Sequence, residues 1–200
     1  MNLRIRVKGA RGPEPVERPP PGAREGTKIL EPGRRPPSGL TVYVERRPLE
    51  SMLRRAGVAG DYEVGGFLLG AYCRHRDTRF VEITAQVPAL KAESARAHLT
   101  FGVEAVREFH ETQAERYPGT TVLGWWHTHP GYGLFLSADD LFIHTSFYAA
   151  EHHVAVVIDP RAGPREAVGV FAWEGPGEVS PGARTLVVYE DERRRKTRRT

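Results

Sequence analysis

The sequence predicts an α/β sandwich in which a mixed, mostly antiparallel sheet is flanked by helices. Three observations predict it: β-branched and aromatic runs recur along the chain, segments of helical periodicity lie between them, and turn residues mark their junctions. The chain has 200 residues and 40% hydrophobic content, which is enough for one domain with a substantial core.

Two segments have the periodicity of amphipathic helices. In the first, near residues 48–56, Leu49, Met52 and Leu53 fall on one face. The second covers residues 102–117 and is stopped by a proline–glycine pair. The other elements are, in chain order, strands at 40–44, 63–73, 80–87 and 121–129, a helix at 137–150, and strands at 153–159, 166–173 and 185–189.

The two ends of the chain depart from this pattern. Residues 3–8 alternate between apolar and basic side chains, so residues 1–12 could add an edge strand, and residues 13–39 hold eight of the 16 prolines. We expect this proline-rich stretch to be an extended linker without helix or sheet, with a regulatory arm as the alternative. Residues 191–200 are predicted to be a disordered basic tail, which leaves a folded domain at 40–190.

Composition excludes several classes of function. No apolar run approaches the ~20 residues of a membrane helix, and the first residues lack the apolar core of a signal peptide. The single cysteine, Cys73, rules out an intrachain disulfide, which favours a cytoplasmic protein. Cys73 lies in an apolar run, so we expect it to be buried and not to be a nucleophile. The net charge of +4 is concentrated at the ends, so nucleic-acid binding rests on the tail alone and is the least supported function.

Two histidines and an aspartate with the spacing of metal ligands follow an apolar run. Side chains alternate along a strand, so His127 and His129 point to the same face of the strand predicted at 121–129. Asp140 lies in the first turn of the next predicted helix. Two neutral imidazoles and one carboxylate form a three-ligand zinc set whose fourth position holds a water molecule. Zinc can lower the pKa of that water to ~7.

Two further residues complete a possible hydrolytic site. Hydrolysis needs a base that is not a metal ligand, and Glu63, at the start of an apolar run, is the best candidate. The alternative is that Glu63 simply begins a surface strand. Ser137 and Asp140 form an S-x-x-D pattern, which either caps a helix or also turns the Ser137 hydroxyl towards the site.

Neighbouring aromatic residues admit two interpretations each. His144 lies one helical turn beyond Asp140 and either supports the site or packs elsewhere. Trp125 and Trp126 point to opposite faces of the strand, so at least one is expected in the core while the other could line a substrate cleft.

The H-x-H-P motif, with Ser137 and Asp140 at this spacing, resembles the signature of the JAMM (MPN-plus) metalloproteases. The upstream segment from Glu63 to Gly70 is similar to the catalytic-glutamate segment of that family, and the resemblance covers roughly residues 40–175. It implies a cytidine-deaminase-like fold. It also implies that His127, His129 and Asp140 bind one catalytic zinc ion, that Glu63 is the general acid and base, and that Ser137 stabilises the oxyanion.

The resemblance also implies a substrate. Members remove ubiquitin or ubiquitin-like modifiers by cutting after a Gly-Gly tail, so the expected partners are such a modifier or its conjugate and enzymes of its conjugation pathway. Other relatives trim sulfur-carrier proteins, and some are metal-free interaction modules. Phe135 replaces a tryptophan and Leu134 a small residue of close relatives, and residues 88–100 match an insertion that contacts the modifier.

Overall fold

The computed structural model describes residues 12–31, 40–90, 93–95, 98–164, 166–175, 178–179 and 186–193. Within these ranges the helices are α1 (Arg46–Ala59), α2 (Val103–Arg116) and α3 (Ala138–Phe147). The strands are β1 (Val16–Glu17), β2 (Thr27–Glu31), β3 (Thr41–Glu45), β4 (Gly65–His75), β5 (Thr78–Pro88), β6 (Glu93–Ala95), β7 (His98–Thr100), β8 (Thr121–Thr128), β9 (Val154–Ile158), β10 (Val168–Gly175), β11 (Glu178–Val179) and β12 (Val187–Asp191).

Ten of these strands form one mixed sheet. Its order is β11-β10-β9-β8-β4-β5-β3-β12-β2, and β1 pairs with β4. The pairs β10/β11, β9/β10, β4/β8, β4/β5 and β2/β12 are antiparallel, and the pairs β8/β9, β3/β5, β3/β12 and β1/β4 are parallel. The predicted fold class is therefore confirmed. Strands β6 and β7, within the stretch matched to an insertion, form a separate antiparallel pair.

Helices cover both faces of the sheet. Met52 and Ala56 of α1 pack in one buried cluster with Leu68 and Trp126. On the opposite face, Phe109 of α2 packs against β4, and α3 covers the cluster around Trp125. The predicted helices and strands from residue 40 onward are all present, with ends shifted by a few residues. Among the described residues, no helix is both long and apolar enough to cross a membrane.

The proline-rich stretch is not free of sheet, and that expectation was wrong. Strand β1 pairs in parallel with Cys73 and Arg74 of β4, and β2 pairs antiparallel with β12. The reason is that the prolines flank these short strands and do not interrupt them, so each keeps its backbone donors. The division into arm, domain and tail stays a prediction, and residues 1–11 and 194–200 lie outside the described residues.

A buried ion cluster attaches this stretch to the sheet. The Glu82 carboxylate on β5 is 3% exposed and accepts hydrogen bonds from Arg24 at 2.6 Å and Arg18 at 3.2 Å. The Tyr189 hydroxyl on β12 donates to the same carboxylate at 2.6 Å. Burial alone would raise the pKa of Glu82, but these partners outweigh it and lower that pKa. The cluster therefore holds residues 18–24 against strands β5 and β12.

We predict that the two arginines contribute unequally to stability. Arg24→Met should lower the free energy of unfolding by about 2–3 kcal/mol, because it takes a buried partner from Glu82 while Arg18 and Tyr189 remain. Arg18→Met should cost about 1 kcal/mol or less, since that side chain is 39% exposed. Urea unfolding at neutral pH measures both, and equal costs would contradict the assignment.

The pH dependence of these variants has a definite sign. The pKa of Glu82 is lower in the folded protein than in the unfolded chain, so its stabilisation is complete above the unfolded value. It is lost as the pH falls through the folded value. The difference in stability between the wild type and Arg24→Met should therefore shrink in acid, and a difference that grows in acid would refute this.

Candidate metal centre

The predicted ligand residues meet at one point on the α2/α3 side of the sheet. His127 lies at the end of β8, His129 directly follows the strand, and Asp140 lies in the first turn of α3. The Nε2 atoms of the two histidines are 3.1 Å apart. Asp140 places Oδ1 3.3 Å from Nε2 of His127 and Oδ2 3.4 Å from Nε2 of His129. All three side chains are buried, and their ligand atoms form a compact triangle suited to a metal ion.

A β-bulge puts the histidines on this face. In the pairing of β4 with β8, Leu68 lies opposite Gly124 and the next residue, Leu69, lies opposite Val122. Leu123 therefore has no partner on β4. As a result Leu123 packs in the α1 cluster while Trp125, two residues further on, packs under α3. Gly124 is needed here, because its φ is +135° and a Cβ would lie 1.8 Å from the carbonyl oxygen of Val154. If the same residues alternated regularly from Leu123 onward, without the bulge, His127 would share the face of Leu123 and point away from α3.

The start of α3 fixes the carboxylate. Ser137 is the N-cap residue, and its hydroxyl oxygen accepts the backbone N–H of Asp140 at 3.1 Å. In return the Ser137 N–H donates to Oδ2 of Asp140 at 2.7 Å, which completes a capping box. The predicted cap is therefore present, and it uses the same carboxylate that faces the histidines. The Ser137 hydroxyl proton takes no part in these two bonds.

Burial and neighbouring charged groups act in opposite directions on the pKa values of these three side chains. Burial would raise the pKa of Asp140, but both imidazoles and Ser137 outweigh burial and hold that pKa well below its usual range. Burial lowers the pKa of His127. Burial acts on His129 in the same direction, but Asp140 and Glu63 outweigh it and raise its pKa. An ionised carboxylate therefore faces two imidazoles, a donor set typical of metal sites.

Glu63 lies beside this triangle without belonging to it. Its carboxylate is buried, and Oε1 is 3.9 Å from Nε2 of His129. The next residue, Val64, is joined to Thr128 twice: its N–H donates to the Thr128 hydroxyl and its carbonyl accepts the Thr128 N–H, both at 3.0 Å. These bonds hold Glu63 against the end of β8. The alternative of an exposed strand start does not hold for this buried side chain.

One positioning residue was missed by the sequence reasoning. Asp159 follows β9 and accepts the backbone N–H groups of Gly131, Gly133 and Arg161 at 2.8, 3.0 and 2.9 Å. These bonds, against the effect of burial, lower the pKa of Asp159. The loop that connects His129 to Ser137 is thereby tied to β9. An aspartate before a proline at a strand end is an ordinary turn signal, so the sequence alone does not single it out.

The neighbouring aromatic side chains are placed as follows. Trp125 and Trp126 are both fully buried, on opposite faces, and Trp126 borders a pocket beside α1 on the face away from the histidines. His144 is also fully buried and does not belong to the triangle. Phe135 packs against His129 with ring centroids 4.6 Å apart and remains 44% exposed, so it forms part of the accessible edge of the site.

Comparison with known proteins gives consistent similarities. The profile of the family described as JAB1/Mov34/MPN/PAD-1 ubiquitin protease matches residues 37–152. The 26S proteasome non-ATPase regulatory subunit 14 of Dictyostelium discoideum is 28% identical over 74% of this chain and 48% of its own. The 26S proteasome regulatory subunit rpn11 of Schizosaccharomyces pombe is 30% identical over 74% of this chain and 47% of its own. The chain therefore spans about half the length of these relatives.

Other similarities are broader. A protein named NAD(+) hydrolase TcpA, from a Theionarchaea archaeon, is 29% identical over 60% of this chain and 34% of its own. A solution structure of a protein from Desulfitobacterium hafniense superposes with a TM-score of 0.56, covering 75% of this chain and 94% of that chain. Their sequence identity is 19%, so this second likeness is one of fold.

We predict that Asp159→Asn loosens the loop after His129. The substitution replaces one acceptor oxygen by an NH2 donor, so at least one of the bound backbone amides loses its partner. Hydrogen–deuterium exchange at Gly131 or Gly133 should become about 10-fold faster, the equivalent of a charge-assisted bond of about 1.5 kcal/mol. Asp61→Asn, which changes an exposed carboxylate paired with Arg161, is the matched control. Unchanged exchange in Asp159→Asn would refute the prediction.

Proposed function

Because the chain belongs to the JAB1/Mov34/MPN/PAD-1 ubiquitin protease family, we propose that it is a zinc-dependent isopeptidase or peptidase. Its substrate is a ubiquitin-like protein, and it hydrolyses the bond that follows the C-terminal glycine tail. The observation that carries the proposal is the meeting of His127, His129 and Asp140, with Glu63 beside them and outside the ligand set.

The spacing of the ligand atoms supports a zinc ion as the metal. A tetrahedral zinc ion with ligands at about 2.0–2.1 Å keeps neighbouring ligand atoms about 3.3–3.4 Å apart. The two Nε2 atoms are 3.1 Å apart, and each lies 3.3–3.4 Å from the nearer carboxylate oxygen of Asp140, which is Oδ1 for His127 and Oδ2 for His129. Two imidazoles and one carboxylate leave a fourth position open, which is typical of catalytic and not of structural zinc sites. When bound, zinc supplies Lewis acidity, which polarises a carbonyl and makes hydroxide accessible near neutral pH.

The other two residues supply proton transfer and charge stabilisation. Glu63 accepts the proton of the attacking water and returns it to the leaving amine, as its place beside the ligand set allows. The Ser137 hydroxyl donates to the oxygen of the tetrahedral intermediate while its own oxygen accepts the Asp140 N–H in the capping box. Trimming of a sulfur-carrier protein would use the same residues and differ in substrate alone.

An apolar groove next to the site supports a protein substrate. It has a volume of about 660 Å³, lies between α2 and α3, and reaches Asp139, the neighbour of Asp140. Phe142 and Phe147 of α3 line it and are 67% and 70% exposed. An apolar groove of this volume, lined by exposed phenylalanine side chains, is typical of an interaction site. The groove suits the apolar patch of a folded modifier whose tail enters the site.

The proposal is tested with defined fusions. A ubiquitin fusion and a sulfur-carrier fusion, each with a reporter after the Gly-Gly tail, are incubated with the protein before and after chelation. We expect cleavage directly after the second glycine of at least one fusion, its loss with chelator, and its return with one equivalent of zinc. Cleavage that survives chelation, or none with either fusion or an isopeptide-linked conjugate, would refute the proposal.

Replacement of Glu63 should separate metal binding from turnover. Glu63→Gln is expected to keep zinc and to lower kcat by about 10²–10⁴-fold, the usual contribution of a general acid–base group. Glu104→Gln makes the same change at an exposed site on α2 and should leave kcat unchanged. Zinc content and steady-state rates are measured together. Retained turnover in Glu63→Gln would exclude Glu63 as the base.

Ser137→Gly should separate the capping role from the catalytic one. Glycine is a tolerable N-cap residue, so stability should fall by a few tenths of a kcal/mol. Loss of an oxyanion donor should lower kcat by about 10²–10³-fold. Thermal unfolding and steady-state kinetics measure the two effects, and Ser137→Thr, which keeps the hydroxyl, is the control. A fall in kcat no greater than that of Ser137→Thr would count against the catalytic role.

A further inference from the structure

At its Nδ1 atom, the ring of His127 has no orienting hydrogen bond in the described part of the chain. Its Nε2 faces Asp140 and His129, while its Nδ1 is buried and has no hydrogen-bond partner among the described residues. A metal-binding histidine ordinarily donates its second N–H to a carboxylate, carbonyl or water, which fixes the plane of the ring. Among the described residues, a ring contact and not a hydrogen bond at Nδ1 bears on that plane.

Trp125 makes that contact. Its indole ring stacks on the imidazole of His127 with centroids 4.5 Å apart and planes 12° from parallel. Two residues apart on β8, both side chains are fully buried on the same face of the sheet. Broad parallel contact with a large ring restricts rotation of the imidazole.

His144 in turn fixes the indole. The Nε1–H of Trp125 donates to Nδ1 of His144 at 3.2 Å, and both atoms are buried. Burial lowers the pKa of His144 to about 4, so the ring is neutral near pH 7 and Nδ1 is an acceptor. The His144 ring is itself stacked on Trp173, with centroids 5.2 Å apart. The imidazole of His144 is therefore a fixed acceptor for the indole.

We propose that Trp125 and His144 are positioning residues that set the ring plane of His127 for metal binding. The bond between them joins β8, which carries His127, to α3, which carries Asp140. It therefore also couples the two elements that supply the ligands. This inference rests on the proposed function only in requiring that His127 binds the metal.

Four variants test the proposal, with metal affinity and the visible spectrum of Co²⁺ as readouts. His144→Leu removes the acceptor, His144→Gln keeps a carbonyl acceptor, and Trp125→Phe keeps a ring without an N–H. The double variant Trp125→Phe/His144→Leu completes a cycle. Phe171→Leu is the packing control, because Phe171 belongs to the same buried cluster and its ring is not stacked on His127 or Trp125 in the described part of the chain.

The expected pattern is specific. His144→Leu should weaken Zn²⁺ and Co²⁺ binding about 10-fold, the lower end for residues that support a ligand, and should change the Co²⁺ absorption bands. His144→Gln and Phe171→Leu should stay within about twofold of the wild type. In the Trp125→Phe background, His144→Leu should have no further effect, because no N–H remains to be oriented.

Three results would overturn the inference: wild-type affinity in both His144→Leu and Trp125→Phe, equal losses in His144→Leu and Phe171→Leu, or additive losses in the double variant. Trp125→Phe removes the donor of the same hydrogen bond. If His144→Leu fails to fold, the metal affinity of Trp125→Phe is compared with that of the wild type and of Phe171→Leu, and the test remains valid. A wild-type protein that binds neither metal would instead reject the proposed function. The two failures are therefore distinguishable.

Discussion

The site depends on the register of β8 between its two neighbours. The strand runs antiparallel to β4 and parallel to β9, and the bulge at Leu123–Gly124 sets which side chains face α3. The same register places Gly65 opposite His127, so the segment that carries Glu63 ends beside the histidines. One irregularity in one strand thus brings the two histidines and the candidate base to the same face.

The helix that completes the site is held by its own polar groups. The Asp140 carboxylate accepts the Ser137 N–H and also faces both imidazoles, so helix capping and ligand placement share one side chain. On the strand side, Asp159 holds the loop between His129 and Ser137 through three backbone amides. The loop is therefore fixed at both ends by the chain's own hydrogen bonds.

Sequence reasoning succeeded where the signal is local. The helices, the strands from residue 40 onward and the spacing of His127, His129 and Asp140 all follow from periodicity and turn residues within short windows. The capping box was also foreseeable, because Ser137 and Asp140 are three positions apart.

Sequence reasoning failed where contacts between residues distant in sequence determine the structure. The bulge in β8 depends on the pairing of that strand with β4 and β9. Regular alternation therefore predicts correctly that His127 and His129 point to the same face, but it does not show which face of the sheet that is. The pairing of β1 and β2 depends on β4 and β12, and the bond between Trp125 and His144 joins two elements. None of these contacts leaves a periodic pattern in the chain.

X-ray absorption at the zinc edge of the zinc-loaded protein tests the central claim most directly. One zinc per chain is predicted, with four nitrogen or oxygen neighbours at about 2.0–2.1 Å and the multiple-scattering pattern of two imidazoles. Retention of no zinc, or a spectrum with a sulfur neighbour or fewer than two imidazoles, would contradict the assignment of His127, His129 and Asp140 as the ligands.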